Sequence, residues 1–207
     1  MERKSVAWTA GLPPSSAAPP LRILGIDPGT VVLGWGIIEA CAGRMHRIAS
    51  GTVRPRGERA DRVAAICAAT RALCDEHRPM ALSLEQTFVG LNVQSAFRLG
   101  EARGAVMVAA SAAGLVVSEY SPAQIKLAVA GSGRASKGQM QLMVARLLAV
   151  AEALAADEAD ALGAAICHAQ VGQFTAQLAV STLAAFGGSG RGRRGSWRNA
   201  TALLGRR

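Results

Sequence analysis

The run Leu21 to Ile26 is short, apolar and rich in branched residues, and Asp27-Pro28-Gly29 stops it, so the first element should be a buried strand ending in a turn. Leu33 to Glu39 and Met45 to Val53 follow at turn-length spacing, which predicts a three-stranded antiparallel start. The period then changes. Glu58 to His77 carries Val63, Ile66, Cys67, Leu73 and Cys74 at helical spacing, and Met80 to Leu84 is a second short apolar strand that ends on Glu85. A helix between two strands returns the second parallel to the first. The same reading gives a helix over Asn92 to Ala113, a strand over Leu115 to Tyr120 and a helix over Ser121 to Ala130 with Pro122 in its first turn. A flexible break at Gly131 to Ser136 and helices over Lys137 to Val150 and Asp157 to Gln173 complete it. An order that opens βββαβαβα demands a mixed five-stranded sheet flanked by helices, an α/β layer architecture.

The ends of the chain lack this periodicity. Residues 1–20, with Pro13, Pro14, Pro19 and Pro20, are expected to form a flexible extension, and residues 187–207 an Arg/Gly-rich tail that stays disordered on its own. Residues 21–173 remain as one domain, the ordinary number for a chain of 207 residues that is half hydrophobic. Of the formal net charge of +9, the tail supplies Arg191, Arg193, Arg194, Arg198, Arg206 and Arg207 with no acid, which leaves the domain close to neutral. Charge alone therefore supports a nucleic-acid partner only weakly. No long apolar run and no secretory-type apolar centre occur, so a soluble, cytoplasmic chain without a membrane span is expected. Cys41, Cys67, Cys74 and Cys167 have neither C-x-x-C pairing nor metal-finger spacing, and should be buried thiols in a reducing compartment.

Four carboxylates carry the chemistry. Asp27 and Glu85 stand at the ends of two apolar strands, and Asp157 and Asp160, three apart, share one face of the last helix while Glu158 points elsewhere. Oxygen-only donors of this kind suit Mg²⁺, which takes a few carboxylates and keeps its other positions for water or phosphate. Two such ions about 4 Å apart can activate a water on one side of a phosphorus and stabilise the leaving oxygen on the other. Each residue also has a plainer reading: Asp-Pro-Gly as a turn, Glu85 as a solvated strand end, either helix aspartate as a cap. The glycine-aspartate hairpin also opens actin-like sugar kinases and chaperone ATPases, but those need two lobes and this chain has room for one. The glycine turn at Gly29, with Gly34 and Gly36 in the next strand, is expected to let phosphate approach the backbone beside Asp27.

The segments ILGIDPGTVVLGWGIIE, LEQTFVGLNVQSAFRLGEARG, EYSPAQIKLAVAGSGRASKGQMQLMV and ADEADALGAAICH, in this order and spacing, resemble the RuvC family of Holliday-junction resolvases over residues 21–172. The resemblance implies a ribonuclease H-like fold, a homodimer, and Mg²⁺-dependent symmetric nicking of four-way DNA junctions in recombination and repair, alongside a branch-migration complex. It assigns Asp27, Glu85, Asp157 and Asp160 as catalytic residues and ligands of two Mg²⁺ per site, with Mn²⁺ as a substitute. It assigns Phe88 to stacking on an unpaired junction base, with a core aromatic as the plainer reading, and matches Lys126 and Lys137 to two basic positions, where an ammonium near the scissile phosphate would stabilise developing charge and a solvated helix lysine is the plainer reading. Gly100 and Gly104 permit close helix packing, either within the chain or across a dimer seam. Two rivals remain: a ribonuclease H-like nuclease acting on RNA or RNA–DNA hybrids, and a catalytically silent junction-binding subunit. The second would gain nothing from four anions facing phosphates.

Overall fold

The computed structural model describes residues 20–86 and 93–187, with side chains described through residue 172. The N-terminal extension, Phe88 and the tail beyond Gly187 lie outside the described residues. The elements follow the sequence reading closely: β1 (Leu21–Asp27), β2 (Leu33–Cys41), β3 (Arg44–Val53), α1 (Arg59–His77), β4 (Ala81–Glu85), α2 (Val93–Ala112), β5 (Val116–Tyr120), α3 (Pro122–Ala130), α4 (Lys137–Leu147) and α5 (Ala156–Gly187). The sheet has the order β3-β2-β1-β4-β5. Strands β1 to β3 pair antiparallel, while β1–β4 and β4–β5 are parallel. The chain divides after Gln173 into a first unit that holds the sheet and a second that begins at Phe174.

Local chemistry sets the helix limits. Ser121 and Ser136 each accept from the backbone N–H three residues on, while Gln124 and Gln139 reach back to the cap N–H, so α3 and α4 both begin in a capping box. The fourth helix stops three residues before the expected Val150. Leu148 caps it, Ala149 takes a left-handed φ of 53°, and Val150 N–H donates to the Ala145 carbonyl at 2.8 Å, a Schellman closure without glycine. At the other end α5 runs past the expected Gln173, because residues 174–187 contain no proline and no glycine before Gly187 to break it.

Two apolar layers bury the faces of the sheet. Leu24, Ile26, Ile37, Leu82 and Leu84 pack with Ile66 and Leu73 of α1 and Ala102 and Val106 of α2. On the other face Ile23, Ile38 and Tyr120 pack with Ile125, Met140 and Val144 of α3 and α4 and with Leu162 and Ile166 of α5. Cys74 and Cys167 are buried as expected, but Cys41 and Cys67 are only partly so; no disulfide joins any of the four. Among the described residues no helix is long and apolar enough to cross a membrane.

Candidate active site

One row of small residues crosses the whole sheet and decides where α5 lies. Ser50, Gly36, Gly25, Ser83 and Ser118 are consecutive register partners from β3 to β5. A Cβ at Gly25 would stand 2.0 Å from the Ala161 carbonyl oxygen, and one at Gly36 would stand 2.4 Å from the Leu162 side chain. Ser83 Oγ donates to the Ala164 carbonyl at 2.7 Å, fully buried. The helix backbone therefore rests directly on the strands, closer than any larger side chain would permit. Gly34, two residues before Gly36, meets the Asp157 carbonyl oxygen in the same way, at 2.0 Å. Gly25, Gly34 and Gly36 thus make room for a helix. Gly29 is needed for its turn, since a Cβ there would meet the Val32 carbonyl oxygen at 2.2 Å.

That seat brings the acids together. Asp27 is two residues beyond Gly25 and Glu85 two beyond Ser83, so both project from the α5 side of the sheet at adjacent strand ends. Asp157 and Asp160 enter from the first turns of α5. Burial first, then the charges of Asp160, Glu85 and Asp157, push the Asp27 carboxyl up to about 7, with Lys137 opposing. Burial and Asp160 likewise raise Glu85, against Lys126 and Lys137. Lys137 Nζ stands 3.4 Å from Asp160 Oδ2. Glu85, Lys126, Lys137 and Asp160, with Ile125 and Met140, line a cleft of about 210 Å³.

Neither helix aspartate is the cap of α5. Glu158, the third residue of the helix, instead reaches back so that its Oε2 accepts from the Ala155 N–H ahead of it, while its Oε1 accepts from Ser50 Oγ. Arg47 donates to Ser50 Oγ at 3.3 Å and pairs with Glu152. Residues 47 and 50, an odd number apart, face the same helix because the β2–β3 register slips by one at Ile37/Ile38, a bulge that sequence periodicity does not announce. Glu158 and the bulge together hold the first turn of α5 while leaving Asp157 and Asp160 turned toward Asp27.

The donor set is all carboxylate oxygen, and at Asp27 and Glu85 burial and the neighbouring acids raise the affinity for protons, the electrostatic signature of a place that a hard cation would settle. Among the described residues no three acidic, imidazole or thiol side chains converge tightly enough to hold one ion, so binding would draw the acids inward.

The family model of the crossover junction endodeoxyribonuclease RuvC matches residues 23–168, which include all four acids and both lysines. The chain belongs to the RuvC family. The crossover junction endodeoxyribonuclease RuvC of Burkholderia vietnamiensis is 48% identical over 153 residues, covering 73% of this chain and 85% of that protein. Its counterpart in Hyphomonas neptunium is 47% identical over 152 residues, covering 72% and 91%. Among solved structures, Thermus thermophilus RuvC in complex with Holliday junction substrate is similar with a TM-score of 0.71 and 34% identity, over 75% of this chain and 96% of that one. The mixed sheet and its flanking helices are thus the ribonuclease H-like resolvase fold of RuvC. The yeast mitochondrial Holliday junction resolvase Ydc2, 14% identical with a TM-score of 0.59, shares the fold alone.

Proposed function

We propose that this RuvC-family chain is a structure-selective endodeoxyribonuclease that resolves Holliday junctions by paired symmetric nicks. The observation that carries the reading is the gathering of Asp27, Glu85, Asp157 and Asp160 at one end of the sheet, beside two lysines, in a family of junction endonucleases. Asp27, Glu85, Asp157 and Asp160 would together hold two Mg²⁺ ions, with Mn²⁺ a workable substitute. When bound, the metal supplies charge stabilisation for in-line attack of water on the phosphodiester. Lys137 and Lys126 hold positive charge against the phosphate side of the cleft, where negative charge develops. Phe88, outside the described residues, would stack on a base unpaired at the branch point.

A homodimer fits the surface of α2. Val93, Phe97, Gly100, Gly104 and Val108 form one stripe along that helix, and the three large side chains among them are 60–66% exposed. Among the described residues a Cβ at Gly100 or Gly104 would meet nothing within 4 Å, which favours the seam over packing within the chain as the reason for these glycines. The stripe borders an apolar groove of about 650 Å³ against α1, and a second copy seated there would set two sites on one junction. A branch-migration complex is the further partner that the family suggests.

Cleavage of a four-way DNA junction compared with an RNA–DNA hybrid, each with wild type, Asp27→Asn and Phe88→Ala, tests the reading. Wild type should nick the junction and leave the hybrid, Asp27→Asn should bind the junction without nicking it, and Phe88→Ala should lose more on intact junctions than on ones already unpaired at the centre. Preferred cutting of the hybrid, or normal turnover by Asp27→Asn in saturating Mg²⁺, would reject it.

A further inference from the structure

Arg103 reaches Glu85 from the opposite face of the sheet. It projects from α2, which covers the side away from α5, and its side chain is only 14% exposed. Its Nη1 donates to the main-chain carbonyl oxygen of Glu85 at 2.6 Å, and its Nη2 pairs with Glu119 of β5. One guanidinium fork therefore grips the ends of two adjacent parallel strands. Glu85 is the last residue of β4; the next N–H, of Gln86, donates to the Tyr120 carbonyl at 2.7 Å, and there the strand ends.

We propose that Arg103 is a positioning residue that aims the Glu85 carboxylate into the acidic cluster by holding its main chain. The side chain of Glu85 is under two outward pressures, burial and the charge of Asp160. A strand end held only by its last ladder bond would relieve both by turning the carboxylate toward solvent. Arg103 opposes that turn from the side where it neutralises nothing in the cluster, so its effect is on direction rather than on charge. Partners of this kind, one bond removed from a ligand, typically change metal affinity by about 10–100-fold.

This proposal rests on the metal reading of the cluster, and the test separates the two. Mn²⁺ is titrated into the full-length protein without DNA, the free ion being read by electron paramagnetic resonance, and junction affinity is measured in parallel in Ca²⁺. Arg103→Ala should weaken Mn²⁺ binding at least about tenfold while junction affinity stays within about twofold. Arg103→Lys, which can keep a donor on the carbonyl but not the fork, should fall between, and Glu119→Gln should stay near wild type. Wild-type Mn²⁺ affinity in folded Arg103→Ala overturns the proposal; if that variant does not fold, wild-type affinity in Arg103→Lys does so. A wild-type protein that binds no Mn²⁺ overturns the metal reading and this inference with it, whereas binding by wild type and variants alike overturns the inference alone.

Discussion

Asp27 keeps its proton up to about pH 7 in the folded chain, because burial and three neighbouring carboxylates all disfavour its charge. In the unfolded chain the same group ionises near pH 4. Between those values the folded state binds more protons than the unfolded one, so this group's contribution to stability is complete below about pH 4, is lost as pH rises, and is gone above about pH 7. Glu85 is raised as well and acts in the same direction. The metal-free protein should therefore lose melting temperature from pH 4 to pH 8, and Asp27→Asn should flatten that fall and melt higher than wild type at pH 8. Mg²⁺ should raise the wild-type melting temperature at pH 8 more than that of the variant. Superimposable pH profiles for the two proteins would show that the cluster is not under this repulsion.

The last helix depends on what the strands beneath it lack. Gly25→Ala would place a methyl 2.0 Å from a helix carbonyl oxygen, so either the strand or α5 must move. A loss of about 1–3 kcal/mol or more is expected in denaturant unfolding, with junction cutting lost beyond the loss in folded fraction. Gly104→Ala is the contrasting substitution. Among the described residues its Cβ meets nothing within 4 Å, and removing a helical glycine should stabilise the chain by up to about 1 kcal/mol, yet it should shift sedimentation toward monomer if α2 is the seam. Element order and strand ends were legible in the sequence because period-2 and period-3.6 patterns and turn residues are local signals. The pairing of Gly25 with Gly36 and Ser83 was not, since register is a long-range relation, though small residues two before both Asp27 and Glu85 were its visible trace. The bulge that lets Arg47 and Ser50 share Glu158, and the reach of Arg103 through the sheet edge, left no trace of that kind, because each depends on elements far apart in the chain.

Along the whole chain, positive charge is unevenly divided. Residues 188–207 carry six arginines and no acid, whereas the stretch that forms the sheet and the acidic cluster is nearly neutral. Deleting them should weaken junction binding and make log K against log salt shallower by at most about 5 units, with the nick positions unchanged. Lost preference for junctions over linear duplex in that truncation would move shape recognition into the tail.

The seating of α5 on the small-residue row also has a consequence in time. Asp27 and Glu85 are built into β1 and β4, but Asp157 and Asp160 arrive on a helix that begins at residue 156. On the proposed assignment, a chain emerging during synthesis carries half its acids while the sheet is being laid down, and a protein made from its N-terminus completes this helix after every strand. On that assignment cutting ability would be the last property the unit acquires, since a chain unfinished before α5 lacks Asp157 and Asp160.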